Sequence, residues 1–301
     1  MSGFHVSSLA GLFLPLVLSL AAARADAALP AMPPIGPTDT LLIVAPHPDD
    51  ESLCCAGLIH VARQAGAKVA IVWITDGDAF RWDAMVMNHA ALPNTASYQR
   101  LGLIREGEAR AAAHALDVPD DSIYFLGFPD RGVARLMGAY FDPRSAWHSR
   151  YTGARDVIYA DAFDPGARYD GRHLVHDFAL ILDRVRPTLV FAPGPQDTHP
   201  DHRAAGLLVA RALAARGELG ELRCWIVHGG RGWPSRGFTP DAPQSIAPRG
   251  AGMQWQELKL DDDSIAAKLR AVSAHQSQIQ VMGRVMRRYV RSTELFAVIQ
   301  P

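Results

Sequence analysis

The sequence predicts an α/β protein with a mostly parallel sheet covered by helices on both faces. Two observations predict it. Short, continuous apolar runs alternate with helical patterns, and the earlier runs stop at or beside Pro, Gly or acidic residues. Unbroken Val/Ile/Leu runs mark strands buried on both faces, and helices between them return the chain for parallel pairing. Residues 41–45 (LLIVA) form the first run and end at Pro46. Residues 52–65 follow with helical spacing and stop at Gly66, placed as a glycine just past a helix end. Residues 68–74 (KVAIVWI) form the second strand and run into Thr75-Asp76-Gly77. A long amphipathic helix is expected over 98–116, a third strand over 123–126, a helix over 174–185 and a fourth strand over 188–192. Residues 202–215 are again helical, 222–227 (LRCWIV) read as a fifth strand, 264–277 as a late helix and 295–299 as a final strand. The stretch 132–172 is rich in Gly, Pro, Tyr and Arg with little periodicity. A loop that long in a compact domain is usually functional, so it is expected to wall a ligand cleft.

Composition narrows the function classes. The chain has 301 residues, 49% hydrophobic and 20% charged, which is enough to bury a sizeable core. With 30 basic and 31 acidic side chains the net charge is -1, so there is no electrostatic footprint for nucleic acid. The basic cluster Arg284, Arg287, Arg288 and Arg291 reads as a solvated helix face. Residues 9–23 are an apolar run, and Ala25-Asp26-Ala27 fits a cleavage site before Ala28. The run is shorter than the ~20 residues of a membrane span and contains Pro15. Residues 1–27 are therefore expected to be a signal peptide, although residues 1–8 carry no Lys or Arg, and the mature protein to be periplasmic or secreted. The alternative is an uncleaved anchor. No later segment is apolar enough to span a membrane. Residues 28–38, with Pro30, Pro33, Pro34 and Pro37, read as a linker before one domain over 39–301. The 3 cysteines, Cys54, Cys55 and Cys224, do not make a disulfide framework and read as buried small hydrophobes. A pairing of Cys54 or Cys55 with Cys224 stays open.

Two motifs carry chemistry. The first strand runs into Pro46-His47-Pro48-Asp49-Asp50-Glu51, at the carboxyl end of a strand, where ligands collect in open α/β sheets. His47 and Asp50 are three apart on a tight strand-to-helix turn, a spacing that lets an imidazole and a carboxylate converge on one ion. The fourth strand ends in Pro193-Gly194-Pro195, and His199-Pro200-Asp201-His202 opens the next helix. Two histidines three apart supply a third ligand and an extra imidazole. Catalytic zinc commonly takes three protein ligands and leaves one position for water. Iron or cobalt accept the same donors. An acidic helix start alone is often only dipole compensation, and a lone His-x-x-His is weaker still. Both after strands, each with a helix behind, are hard to obtain by chance. Glu51 reads equally as a first-turn helix carboxylate or as a partner of the site, and His228 ends the fifth strand near the same rim. Trp147 and Trp233 are candidate sugar-stacking residues, whereas Trp225 reads as core.

The pair PHPDDE and HPDH resembles the signature of the PIG-L/LmbE-like N-acetylglucosaminyl deacetylases. Thr75-Asp76-Gly77, Arg105-Glu106-Gly107-Glu108, Leu126-Gly127-Phe128-Pro129-Asp130, His275-Gln276-Ser277-Gln278, and Arg291 with Glu294 extend it. The resemblance implies a Rossmann-like sheet with long loops over its carboxyl edge, one zinc ion, and hydrolysis of an N-acetyl group on a glucosamine unit. It implies zinc ligation by His47, Asp50 and His202, general base action by Asp49, and transition-state assistance by His199. Arg105 and Asp130 fall where some relatives contact substrate. Asp197 stands where the mycothiol-pathway deacetylase has tyrosine, so its role is not carried over. Zinc would polarise the carbonyl and acidify water, Asp49 would move the proton, and His199 in charged form would face the oxyanion. The partner expected is an N-acetylated sugar or glycoconjugate. The turn after the first strand lacks G-x-G-x-x-G, and no G-x-S-x-G is present, which argues against a dinucleotide enzyme and a serine esterase. Hydrolysis of another N-acyl amide and non-catalytic carbohydrate binding are the remaining alternatives.

Overall fold

β1 (Thr40–Ala45) lies inside a seven-stranded sheet of order β3-β2-β1-β4-β5-β7-β6. The other strands are β2 (Lys68–Thr75), β3 (Ile123–Phe128), β4 (Leu189–Pro193), β5 (Leu222–Trp225), β6 (Gln254–Lys259) and β7 (Thr293–Val298). The computed structural model describes residues 28–299. The expected signal segment lies outside them, and among the described residues no helix is long and apolar enough to cross a membrane. β1 to β5 pair in parallel, as their unbroken apolar runs predict. β7 runs antiparallel to both β5 and β6 and closes one edge. β6 escapes the sequence reading because Gln254–Lys259 has a single fully buried apolar side chain, Trp255, among polar ones. Of the expected Pro-rich linker, Ala31 lies beside Glu257 of β6, and Met32 is buried.

The period of two along β1 builds two cores. Leu42 and Val44 face one layer, with Phe178, Leu208 and Val209, while Leu41, Ile43 and Ala45 face the other, with Ile59, Ala112 and Val272. The helices are α1 (Asp50–Gln64), α2 (Arg81–Met87), α3 (Thr95–His114), α4 (Val133–Leu136), α5 (Gly171–Val185), α6 (Pro200–Arg216), α7 (Asp262–Ala274) and α8 (Gln276–Met286). Asn94, Asp170 and Asp261 cap α3, α5 and α7 by accepting from backbone N–H groups three residues on. Gly66 follows α1 at φ 79, the role read from sequence. The single late helix expected over 264–277 is two, broken at His275, whose side chain is tied to Glu51 while Ser277 is tied to Glu108.

From β1 the chain builds outward through β2 and β3 on one side, then returns to β4 and β5 on the other. The strand order therefore reverses between β1 and β4, and the crevice at such a switch point is where open α/β sheets bind ligands. Both sequence motifs sit on that crevice.

Three other expectations change. Residues 132–172 send Val157, Tyr159 and Tyr169 into the core rather than walling the cleft, because these side chains are large and apolar enough to be drawn inside. Arg291 is buried, its guanidinium donating to the carbonyls of Ser235, Gly237, Thr239 and Arg288, so it leaves the solvated basic face of Arg284 and Arg287. Cys54 is bonded to Cys55, and Cys224 is free and buried.

Candidate metal centre and active site

The turn after β1 folds back on itself. Asp50 Oδ2 accepts from the His47 backbone N–H at 3.0 Å and lies 3.2 Å from His47 Nδ1. Pro200 at the first helical position starts α6, which places His202 one turn into it. His202 Nε2 then reaches the same Asp50 oxygen at 3.1 Å. The two atoms lie side by side rather than in hydrogen-bond alignment, and among the described residues the buried His202 Nε2 has no hydrogen-bond partner. Ligands about 2.1 Å from a tetrahedral ion sit roughly 3.4 Å apart, close to this spacing. The donor set and the orphaned nitrogen therefore fit a small divalent ion. His47, His199 and His202 also each present a nitrogen within 4.8 Å of the other two.

The other nitrogen of His202, Nδ1, faces Asp197 Oδ2 at 3.1 Å. A carboxylate on the far nitrogen sets the tautomer and ring orientation of a metal-binding histidine. Asp197 is itself held by the backbone N–H groups of His199, Val227 and His228, and its Oδ1 is 3.3 Å from His228 Nδ1. His47 Nε2 lies 3.3 Å from Asp130 Oδ1 and 3.7 Å from Asp201 Oδ2.

Asp49 stands outside this cluster at φ 133, a backbone conformation L residues rarely adopt, with Oδ2 3.4 Å from Arg105. An open cleft of about 250 Å³ is lined by His47, Asp49, Asp50, Arg105, Asp130, His199 and His228, with Phe80 and Met282 among its apolar members.

Burial and neighbours set the charges. Burial pushes the Asp49 carboxyl up to about 6 against the pull of Arg105. For Asp50 burial works the same way, but the imidazoles of His202 and His47 overrule it and hold its carboxyl well below the usual range. Burial lowers His202, yet Asp50 and Asp197 lift it to about 9. Burial together with positive His47 and His202 pushes His199 down to about 3.

A sequence profile of the family described as PIG-L, GlcNAc-PI de-N-acetylase, matches residues 42–213, more than half of the chain. The chain belongs to the PIG-L family. Among curated relatives of this PIG-L protein, the 1D-myo-inositol 2-acetamido-2-deoxy-alpha-D-glucopyranoside deacetylase 2 of Catenulispora acidiphila is 27% identical, covering 81% of each chain. The probable N-acetyl-alpha-D-glucosaminyl L-malate deacetylase 2 of Bacillus subtilis is 25% identical over 84% of this chain and 90% of its own. The solved N,N'-diacetylchitobiose deacetylase of Pyrococcus horikoshii shares the fold, with a TM-score of 0.53 at 20% identity, over 86% of this chain and 83% of that one.

The structure brings His47, Asp49, Asp50, His199 and His202 together, and adds His228 at the rim. The two expected substrate contacts are largely engaged inside this PIG-L chain. Arg105 donates to the carbonyls of Gly77 and Pro48, and Asp130 accepts from the Ala79 N–H. Gly77, at φ 63, is required there, since a Cβ would collide with the Arg105 guanidinium. Trp147 packs against the core, and Trp233 donates to the Val227 carbonyl; neither lines the cleft. Asp197 is the buried carboxylate of the site that sequence reading left unassigned. Its only local signal is an acid two residues before the first histidine of the second motif.

Proposed function

We propose that this protein is a metal-dependent hydrolase that removes the acetyl group from the nitrogen of an N-acetylglucosamine-type sugar, releasing acetate and a free amine. The observation that carries the reading is the division of two adjacent carboxylates: Asp50 meets both imidazoles, while Asp49 faces the cleft apart from them. His47, Asp50 and His202 would hold the ion, and zinc suits two imidazoles and a carboxylate. Bound there, zinc supplies a Lewis acid for the amide carbonyl and makes a neighbouring water more acidic.

The rest of the chemistry falls to the chain. An amide resists hydrolysis because water is a poor nucleophile and an amine leaves badly unless protonated. Asp49, with its carboxyl raised to about 6, is poised near neutral pH to take a proton from water and return it to the departing nitrogen. Arg105 braces Asp49 and the Pro48 carbonyl beside it. His199, which lines the cleft, would offer a ring N–H to the carbonyl oxygen on which charge develops.

The reading also draws on the relatives, which are named as deacetylases of acetamido sugars. A panel of N-acetylated mono- and disaccharides and glycoconjugates, incubated with zinc-loaded protein, should release acetate and primary amine in equal amounts. A chelator should stop the release and added zinc restore it. Fully metal-loaded protein that releases neither product from any acetamido sugar would reject this reading and leave hydrolysis of another N-acyl amide or a carbohydrate-binding role.

We also propose export, on the strength of the apolar run 9–23 and Ala25-Asp26-Ala27. Sequencing the N-terminus of the protein from its native source should find Ala28 first; an intact Met1 end on cytosolic protein would reject this.

A further inference from the structure

Asp49 holds φ 133 and ψ -30, and something must keep it there, because an unconstrained aspartate relaxes to negative φ. Its backbone N–H donates to Glu51 Oε2 at 3.1 Å. That oxygen also accepts from the Trp73 indole at 2.8 Å, and Oε1 accepts from the Ser52 hydroxyl at 2.7 Å and lies 2.8 Å from His275 Nε2. Trp73 belongs to β2, Ser52 to α1, and His275 to the break between α7 and α8, so three separate elements fix one carboxylate. Glu51, Ser52, Trp73 and His275 are all fully buried. Among the described residues, no hydrogen bond of the Glu51 side chain reaches His47, Asp50 or His202.

We infer that Glu51 is a positioning residue that locks the Asp49 backbone in its left-handed turn and so aims the Asp49 carboxylate at the reacting water. The inference rests on the reading of Asp49 as the base. It separates two jobs within one short motif. His47 and Asp50 serve the ion, whereas Glu51 serves the proton acceptor through its backbone N–H. With Glu51 removed, the Asp49 N–H loses its anchor, the turn relaxes, and the carboxylate swings away while the metal donors keep their contacts. Misplacing a reacting group by about 1 Å can cost on the order of 100-fold in rate.

The test compares Glu51→Ala and Glu51→Gln in zinc-loaded, full-length protein. Glu51→Ala should keep one metal ion per chain by elemental analysis and keep KM within a few-fold, while kcat falls about 10- to 100-fold. Glu51→Gln should recover most of kcat. Its amide oxygen can still accept from Asp49 and Trp73, and its NH2 can turn to the Ser52 hydroxyl and to a neutral His275. An unchanged kcat in Glu51→Ala, or a loss of metal in step with activity, overturns the inference. If Glu51→Ala does not fold, Trp73→Phe removes one donor from the same oxygen and carries the test. A several-fold drop in kcat at full metal content supports the role, and an unchanged kcat rejects it. Asp49→Asn is the control. Should it retain turnover, the base assignment itself falls; should it be inactive while Glu51→Ala is fully active, only the positioning role falls.

Discussion

The cleft has two unlike walls. After β1, β2 and β3 come buried carboxylates, Asp49, Asp50, Glu51, Asp76, Asp78 and Asp130, with Arg105 threaded among them. After β4 and β5 come imidazoles, His199, His202 and His228, gathered around one carboxylate, Asp197. The first wall is the more deeply set: Asp49 and Asp50 reach the cleft but are buried, and Glu51 behind them accepts four contacts. The second is open at its rim, with His228 exposed and His199 partly so, over the fully buried His202 and Asp197. The difference separates the chemistry. Burial in the acid wall raises the affinity of Asp49 for a proton, and on the proposed reading the imidazole rim would meet a substrate oxygen.

The largest expected effect tests that division. Asp49→Ala should retain its metal yet lose turnover by about 10²- to 10⁴-fold, the range general acid–base catalysis supplies. Elemental analysis beside an acetate-release assay checks it. A metal-free Asp49→Ala, together with a metal-replete Asp50→Ala, would reverse the roles of the two carboxylates. On the opposite wall, His199→Ala should lower kcat by about 100-fold with little change in metal content, as expected for one lost oxyanion donor. An equal loss through KM alone would make His199 a binding residue instead.

Asp197 supplies the next, smaller effect. Asp197→Asn leaves His202 in place but exchanges a charged acceptor for a neutral one that can turn its NH2 toward Nδ1. Removing such an outer partner typically weakens metal binding 10- to 100-fold. Competition with a chromophoric chelator measures this directly. Zinc affinity equal to that of the unaltered protein would show that the backbone of α6 alone fixes the ring.

The two walls also differ in how much of them the sequence reveals. His47 and Asp50 are legible because three residues on one tight turn decide their geometry, and His202 because Pro200 starts its helix. Asp197 is not, since its partners Val227 and His228 lie 30 and 31 residues away, in the bend just past the strand that β4 happens to join. The His275 contact to Glu51 spans 224 residues and depends on where α7 ends. The parallel strands follow from their unbroken apolar runs. The antiparallel edge does not, because β6 is half exposed and its polar residues satisfy no periodic rule. Trp147 and Trp233 mislead for a related reason: a loop tryptophan reads as available for stacking until the fold supplies a core or a carbonyl for it.

The acid wall should leave a mark on stability as well. Asp78 is fully buried, accepts from the Tyr159 hydroxyl at 2.7 Å, and sits against Asp130. Burial foremost, with the Asp130 charge adding to it, lifts its carboxyl from the ordinary 3.8 to about 7. A carboxyl whose pKa is higher folded than unfolded favours the fold while it is protonated in the folded state. Its contribution is complete below the unfolded value and is lost as pH rises through the folded one. Between these limits the unfolded chain has released the proton and the folded chain keeps it, so Asp78 lowers stability by roughly 1.4 kcal/mol per pH unit. Asp78→Asn cannot ionise and should remove that slope, narrowing the fall in denaturant midpoint between pH 5 and 7, roughly the window in which the two states differ. Equal pH profiles for Asp78→Asn and the unaltered protein would mean that water reaches the acid wall after all, and the distinction between a deeply set wall and an open rim would go with it.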